Sequence, residues 1–154
     1  MTSQKPVDLV EQFFSDLASG RVDAALEQVS EQIVYTNVGL PTVRGKKLFS
    51  KVMRGLNGKS VGFDAQILAI AGDEQGVVLT ERIDELRIGP LRLQFWVCGR
   101  NEVIEGRIAV WRDYFDFFNC TKALVRGLAA LAVPSLLPPL TDPVSSRPAA
   151  GRVG

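Results

Sequence analysis

The sequence predicts an α+β domain, a curved and mostly antiparallel sheet with helices packed on one face. Two observations carry this. The first 56 residues read as helices, one strand and another helix, whereas residues 63–117 read as strand after strand, parted by short turn signals at Gly72-Asp73 and Gly89-Pro90. Strands joined so tightly cannot be parallel, because parallel neighbours need a crossover of about a dozen residues or more. Segregation of helices from a meander is the α+β order, not the strict alternation of a parallel α/β sheet.

The elements follow in chain order. PVDLVEQFFSDLA (6–18) sets Val7, Val10, Phe14 and Leu17 on one helical stripe, and Gly20 offers a stop. VDAALEQVS (22–30) continues with Val22, Ala25, Leu26 and Val29 as a second short helix. QIVYTNVG (32–39) reads as a strand, turning at Gly39-Leu40-Pro41. In RGKKLFSKVMR (44–54) the basic residues are punctuated by Leu48, Phe49, Val52 and Met53 at helical spacing. That is the wet side of an amphipathic helix over about 45–56, ending at the turn signal Asn57-Gly58. The meander comprises FDAQILAIA (63–71), GVVLTERIDELRI (76–88), LRLQFWVCGR (91–100) and, after a polar turn at Asn101-Glu102, GRIAVWRDYFDF (106–117).

A last helix is predicted over 119–133, with Leu124, Val125, Leu128 and Leu131 as its apolar side and Thr121 as cap. Leu131, Val133, Leu136 and Leu137 are placed to close a pocket mouth or to pack that helix. Pro, Ser and Gly then dominate, so a single domain over 1–141 is expected to be followed by a disordered tail, 142–154.

Composition narrows the chemistry. A chain of 154 residues is about one domain, and 46% hydrophobic with 23% charged residues is ordinary for a globular protein. A net charge of +1 gives no field that would draw nucleic acid or an anionic membrane, so neither is an expected partner. Nothing approaches the ~20 apolar residues of a membrane span, and the N-terminus lacks the apolar run of an export signal. Cytoplasm is the expected location. Two cysteines make no disulfide framework or metal site. The absence of histidine removes the usual general base, the Ser-His and Cys-His pairs and the commonest zinc ligand. No Gly-rich phosphate loop follows a strand, and no cofactor is called for. Acid–base chemistry must rest on Asp, Glu, Tyr, Lys or Cys.

Candidate residues stand out as polar groups inside strands. Side chains alternate along a strand, so one set meets the helices while the other lines any cavity. Tyr35 and Asn37 share a face, as do Arg82 and Asp84. Asp113 shares its face with Trp111 and Phe115, while Ile108, Val110 and Tyr114 fall on the other. Asp is among the residues a strand tolerates least, so its place between two aromatic rings asks for a reason. Singly, each has a plain reading as a half-buried aromatic, a turn residue, an exposed face or an ion pair.

Together, VYTNVGLPTVRGKKLF (34–49), VLTERIDEL (78–86) and EGRIAVWRDYFDF (105–117) resemble the limonene-1,2-epoxide hydrolase family over roughly residues 5–120. The resemblance implies a six-stranded mixed, strongly curved sheet with helices closing a deep apolar pocket, the cone-shaped fold shared with nuclear transport factor 2 and ketosteroid isomerase. It also implies a homodimer. By motif it places the water-holding tyrosine and asparagine on Tyr35 and Asn37, the arginine on Arg82, the acid on Asp84 and the second aspartate on Asp113. The pocket walls, notably LRLQFWVCGR, and the Pro-rich extension depart from the family pattern and leave the substrate open.

Such a set suits water addition to an apolar epoxide, terpene-like, lipid-derived or steroid-like. Opening the ring without a covalent intermediate takes a base to draw a proton from water and an acid to protonate the departing oxygen. Asp113 is the expected base and Asp84 the acid, with Arg82 hydrogen-bonding both carboxyls. One ionised aspartate, one protonated aspartate and one arginine sum to zero charge, which a dry pocket tolerates. Two readings compete: a ketosteroid-isomerase-like or cyclase-like proton transfer, and a non-catalytic binding module, because a fold does not fix a function.

Overall fold

In the computed structural model, which describes residues 4–147, one mixed six-stranded sheet carries helices on its concave side. The order of elements is α1 (Pro6–Ala18), α2 (Val22–Glu27), β1 (Val29–Asn37), β2 (Val43–Arg44), α3 (Lys46–Leu56), β3 (Val61–Gly72), β4 (Val77–Ile88), β5 (Leu91–Ile104), β6 (Arg107–Tyr114) and α4 (Phe117–Ala130). Short 3₁₀ turns follow at Pro134–Leu136 and Val144–Ser146. Across the sheet the strands run β2-β1-β6-β5-β4-β3, every pair antiparallel except β1 with β6. The meander expected from its short turns is therefore present. β1 returns beside the last strand in parallel, after an intervening stretch long enough for the crossover.

Pro6 opens α1, where its missing N–H would have had no helical partner. Val10, Phe14 and Leu17 are buried as their spacing demands, joined by Leu9 and Phe13. With Phe49 and Met53 of α3, Phe63 and Ala65 of β3, and Tyr35 and Trp111 of the sheet, they form the core. α3 keeps its lysines outward, pairing Lys46 with Glu31 and Arg54 with Asp23. Among the described residues no helix is long and apolar enough to cross a membrane.

Several boundaries differ from the sequence expectation, each for a local reason. β5 runs through Asn101-Glu102 to Ile104, and the polar turn falls instead at Glu105-Gly106, both at positive φ (51° and 72°), as a two-residue hairpin requires. Ile108 is fully buried, not on the face of Val110 and Tyr114. The register with β5 steps from Glu102↔Val110 to Val103↔Ile108, so one extra residue, Ala109, bulges out and reverses the alternation. β6 stops at Tyr114, not 117. Asp116 leaves the sheet and caps α4, its Oδ1 accepting from the Asn119 backbone N–H at 2.9 Å, a role expected of Thr121.

α4 also presents the opposite face from the one predicted. Leu124, Val125, Leu128 and Leu131 are exposed, and Ala123 and Gly127 are buried. Because β6 ends early, the first half of β5 has a bare edge, and α4 lies along it. Asn119 Oδ1 accepts from the Trp96 backbone N–H, and Arg126 donates to the Gln94 carbonyl at 2.7 Å. Contact that close admits only small residues: a Cβ on Gly127 would collide with the Arg92 carbonyl.

The tail is folded as far as Arg147, against the expectation of disorder from 142; residues 148–154 lie outside the described residues. Arg92 and Gln94 donate to the Leu137 and Pro138 carbonyls. Ser145 donates to Asp64, and Arg147 pairs with Glu11 and Asp142. Val144 is completely buried, supplying the apolar anchor that a Pro/Ser/Gly count does not register.

Candidate active site

A cavity of about 350 Å³ opens between the concave sheet and the helices. Its walls are apolar, including Leu17, Val52, Leu56, Phe63, Leu86, Leu93, Phe95 and Val97. Four polar groups, Tyr35, Asn37, Asp84 and Asp113, share it with these residues. Leu131, Val133, Leu136 and Leu137 do not line it; the contribution from that end of the chain is Cys120 of α4.

Three strands deliver the polar groups through register. The parallel pairing of β1 with β6 aligns Tyr35 with Trp111 and Asn37 with Asp113. β4 brings Arg82 and Asp84, two residues apart and on one face. Arg82 lies behind the cavity wall, at 0% exposure. Its Nε and Nη2 donate to Asp84 Oδ1 and Oδ2, both at 2.9 Å, and Nη2 also donates to Asp113 Oδ2 at 2.9 Å. One guanidinium thus bridges two carboxyls, and the Phe14 ring lies 4.5 Å from its centre. The structure brings all five sequence-predicted residues into one site.

The electrostatics follow from burial. Asp113, 4% exposed, is pushed above the usual carboxylate range chiefly by desolvation; Arg82 opposes the shift and Asp84 adds to it. Its Oδ1 accepts from the Trp111 indole N–H at 2.7 Å, so Trp111 aims the carboxyl. Burial, followed by the carboxylate field of Asp113, pushes the Tyr35 phenol up to about 12, so it keeps its proton. Asn37 Nδ2 donates to Tyr35 Oη at 2.6 Å, which leaves the phenolic hydrogen free to be offered into the cavity. Two carboxyl groups are thus set around one buried guanidinium.

Sequence reasoning passed over three residues. Thr80 accepts from Arg82 Nη1 at 3.0 Å, Gly99 leaves the space this needs, and Phe14 packs beneath the guanidinium. Thr80 had a signal, since it lies two residues before Arg82 and so shares its face. A threonine in a strand and a glycine near a turn otherwise look ordinary.

Comparison with known proteins meets this geometry from outside. Residues 4–126 match the family model of the limonene-1,2-epoxide hydrolase catalytic domain. Epoxide hydrolase EphG of Mycobacterium tuberculosis is 47% identical over 127 residues, 82% of this chain and 84% of that one. The structure of an M. tuberculosis LEH-like epoxide hydrolase superposes with a TM-score of 0.83 at 44% identity, covering 88% of this chain and 95% of the other. An NTF2-like protein of unknown function from Cytophaga hutchinsonii shares the fold alone, with a TM-score of 0.61 at 19% identity over 75% of this chain and 95% of that one.

Proposed function

This chain belongs to the limonene-1,2-epoxide hydrolase family and is an epoxide hydrolase, and from that premise we propose that it adds water in one step to an apolar epoxide, giving a vicinal diol. The observation that carries the reading is the Arg82 bridge between Asp84 and Asp113 beside an otherwise apolar cavity.

Asp113 is the base. Burial raises its proton affinity, which strengthens it as an acceptor, while Arg82 and Trp111 hydrogen-bond its ionised form. The attacking water sits among Asp113, Tyr35 and Asn37. Its proton passes to Asp113 as its oxygen attacks one epoxide carbon. The C–O bond of that same carbon, opposite the incoming water, breaks, and the departing oxygen takes the proton held on Asp84. Atoms balance: water and epoxide become diol, and the pair ends with its proton moved from Asp84 to Asp113. Arg82 holds the two carboxyls at fixed separation throughout. The apolar walls bind a hydrocarbon body by area and leave few waters to compete.

A single-turnover reaction in ¹⁸O-water tests the one-step reading. Direct attack labels the diol in the first turnover. An ester intermediate on an aspartate would deliver unlabelled carboxylate oxygen first, and that result would overturn the mechanism.

A further inference from the structure

We propose that Thr80, with the bare backbone of Gly99 opposite it, is a positioning residue that decides how Arg82 divides its hydrogen bonds between the two aspartates. The inference rests on the hydrolase reading above and adds to it a part outside the five motif residues.

The strand register sets the geometry. Thr80 of β4, Gly99 of β5 and Asp113 of β6 lie side by side in one row across the sheet. Arg82 and Asp84 are the next residues of β4 on the same face. The Arg82 side chain folds back over Gly99: a Cβ there would overlap Arg82 Nη1, and would lie 2.7 Å from Thr80 Oγ1 and 2.9 Å from Asp113 Oδ1. Any side chain at this position would occupy the point where three polar groups meet.

Each guanidinium nitrogen has its own acceptor. Nε serves Asp84, Nη2 serves both aspartates, and Nη1 serves the Thr80 hydroxyl at 3.0 Å. A planar fork cannot move one N–H without moving the others. Without the hydroxyl, Nη1 is a fully buried donor that has lost its partner. Asp113 Oδ1 borders the same space above Gly99, so Nη1 turns to it. Asp113 then carries a second bond from the cation and holds a proton less strongly. The base weakens, and the bidentate grip on Asp84 is twisted. Thr80 thereby keeps Arg82 square to the acid and its hold on the base to one bond.

The test compares Thr80→Val, which keeps the shape and removes the hydroxyl, with Thr80→Ser, which keeps the hydroxyl. Carboxyl titration by ¹³C NMR of aspartate-labelled protein reads the pair without substrate, and styrene oxide hydrolysis across pH reads turnover. In Thr80→Val the Asp113 midpoint and the acidic limb of the rate profile move to lower pH, and kcat falls roughly 10- to 100-fold with little change in KM. Thr80→Ser restores both. Gly99→Ala, which displaces Nη1 from the other side, also lowers kcat, and it decides the matter through the same titration should Thr80→Val fold poorly. An unmoved Asp113 midpoint in Thr80→Val and Gly99→Ala, or equal losses in the Val and Ser variants, overturns the proposal. A wild type that titrates as described yet forms no diol from styrene oxide or other apolar epoxides would sink the apolar-epoxide reading and leave the positioning role intact.

Discussion

Asp84 and Glu85 are consecutive in β4, both buried and both held by arginine, and they face opposite sides of the sheet. On the concave side, two carboxyls share the single guanidinium of Arg82 and border an apolar cavity. On the convex side, one carboxyl meets two guanidiniums, Arg92 at 2.7 Å and Arg87 at 3.9 Å, with Gln94 donating at 2.7 Å. Arg92 and Gln94 go on to fasten the tail through the carbonyls of Leu137 and Pro138. The ratio of charges separates the two. In the proposed mechanism the surplus carboxyl beside the cavity carries the proton that is transferred. On the convex side the cations outnumber the acid, and the cluster serves as a clamp.

Breaking the concave cluster should therefore cost chemistry, and breaking the convex one should cost stability. The largest effect is expected for Asp113→Asn, which removes the proposed base: diol formation falls by about 10²–10⁴-fold while the circular dichroism spectrum is unchanged. Near-normal turnover in that variant would remove the distinction between the clusters. Arg82→Lys comes next, with a loss on the order of 10²-fold, because a point charge cannot bridge two carboxyls in the plane a guanidinium does. Initial-rate kinetics on both variants would rank them.

The pH profile sharpens the contrast without mutation. As the proposed base, Asp113 has to be ionised to accept a proton, and burial raises its pKa. The acidic limb of kcat/KM is thus expected above the ordinary carboxylate range, with activity lost as pH falls through it. For stability the sign is opposite. The folded form holds this proton to higher pH than the unfolded chain, so the contribution of Asp113 declines as pH rises between the two values. The smallest effect on rate belongs to Glu85→Gln. Denaturant unfolding should show a loss of about 1–3 kcal/mol from the unmatched donors around it, with turnover by the folded enzyme retained. A collapse of turnover there would mean that the clamp also shapes the site.

Much of the concave site was legible because strand periodicity is strictly local. Tyr35 with Asn37, and Arg82 with Asp84, share a face by spacing alone, and Asp113 declared itself by breaking strand propensity between two rings. The convex clamp was not legible. Glu85 reads as an ordinary polar position in an alternating strand, and 142–147 as a Pro/Ser-rich tail. Asp64 is held by Ser145 from far away in sequence, the buried Val144 beside it belongs to the same tail, and the Glu85 partners Arg92 and Gln94 are themselves fastened to that tail. α4 misled for the same reason: its apolar stripe is present, but a bare stretch of β5 edge claimed the helix's small residues instead.

The residues by themselves determined which groups lie on a common face, the order of the main elements, and that, with no histidine, any proton chemistry had to rest on Asp, Glu, Tyr, Lys or Cys. Only the tertiary structure decided that these groups meet. β1 reaches Asp113 by pairing in parallel with a strand nearly eighty positions away, and the Arg82 guanidinium reaches two strands over because Gly99, between them, has no side chain. Alternation depends on the bonds between neighbouring residues and can be read locally. Adjacency of strands depends on loop closure and packing across the whole chain, which no short stretch of sequence encodes.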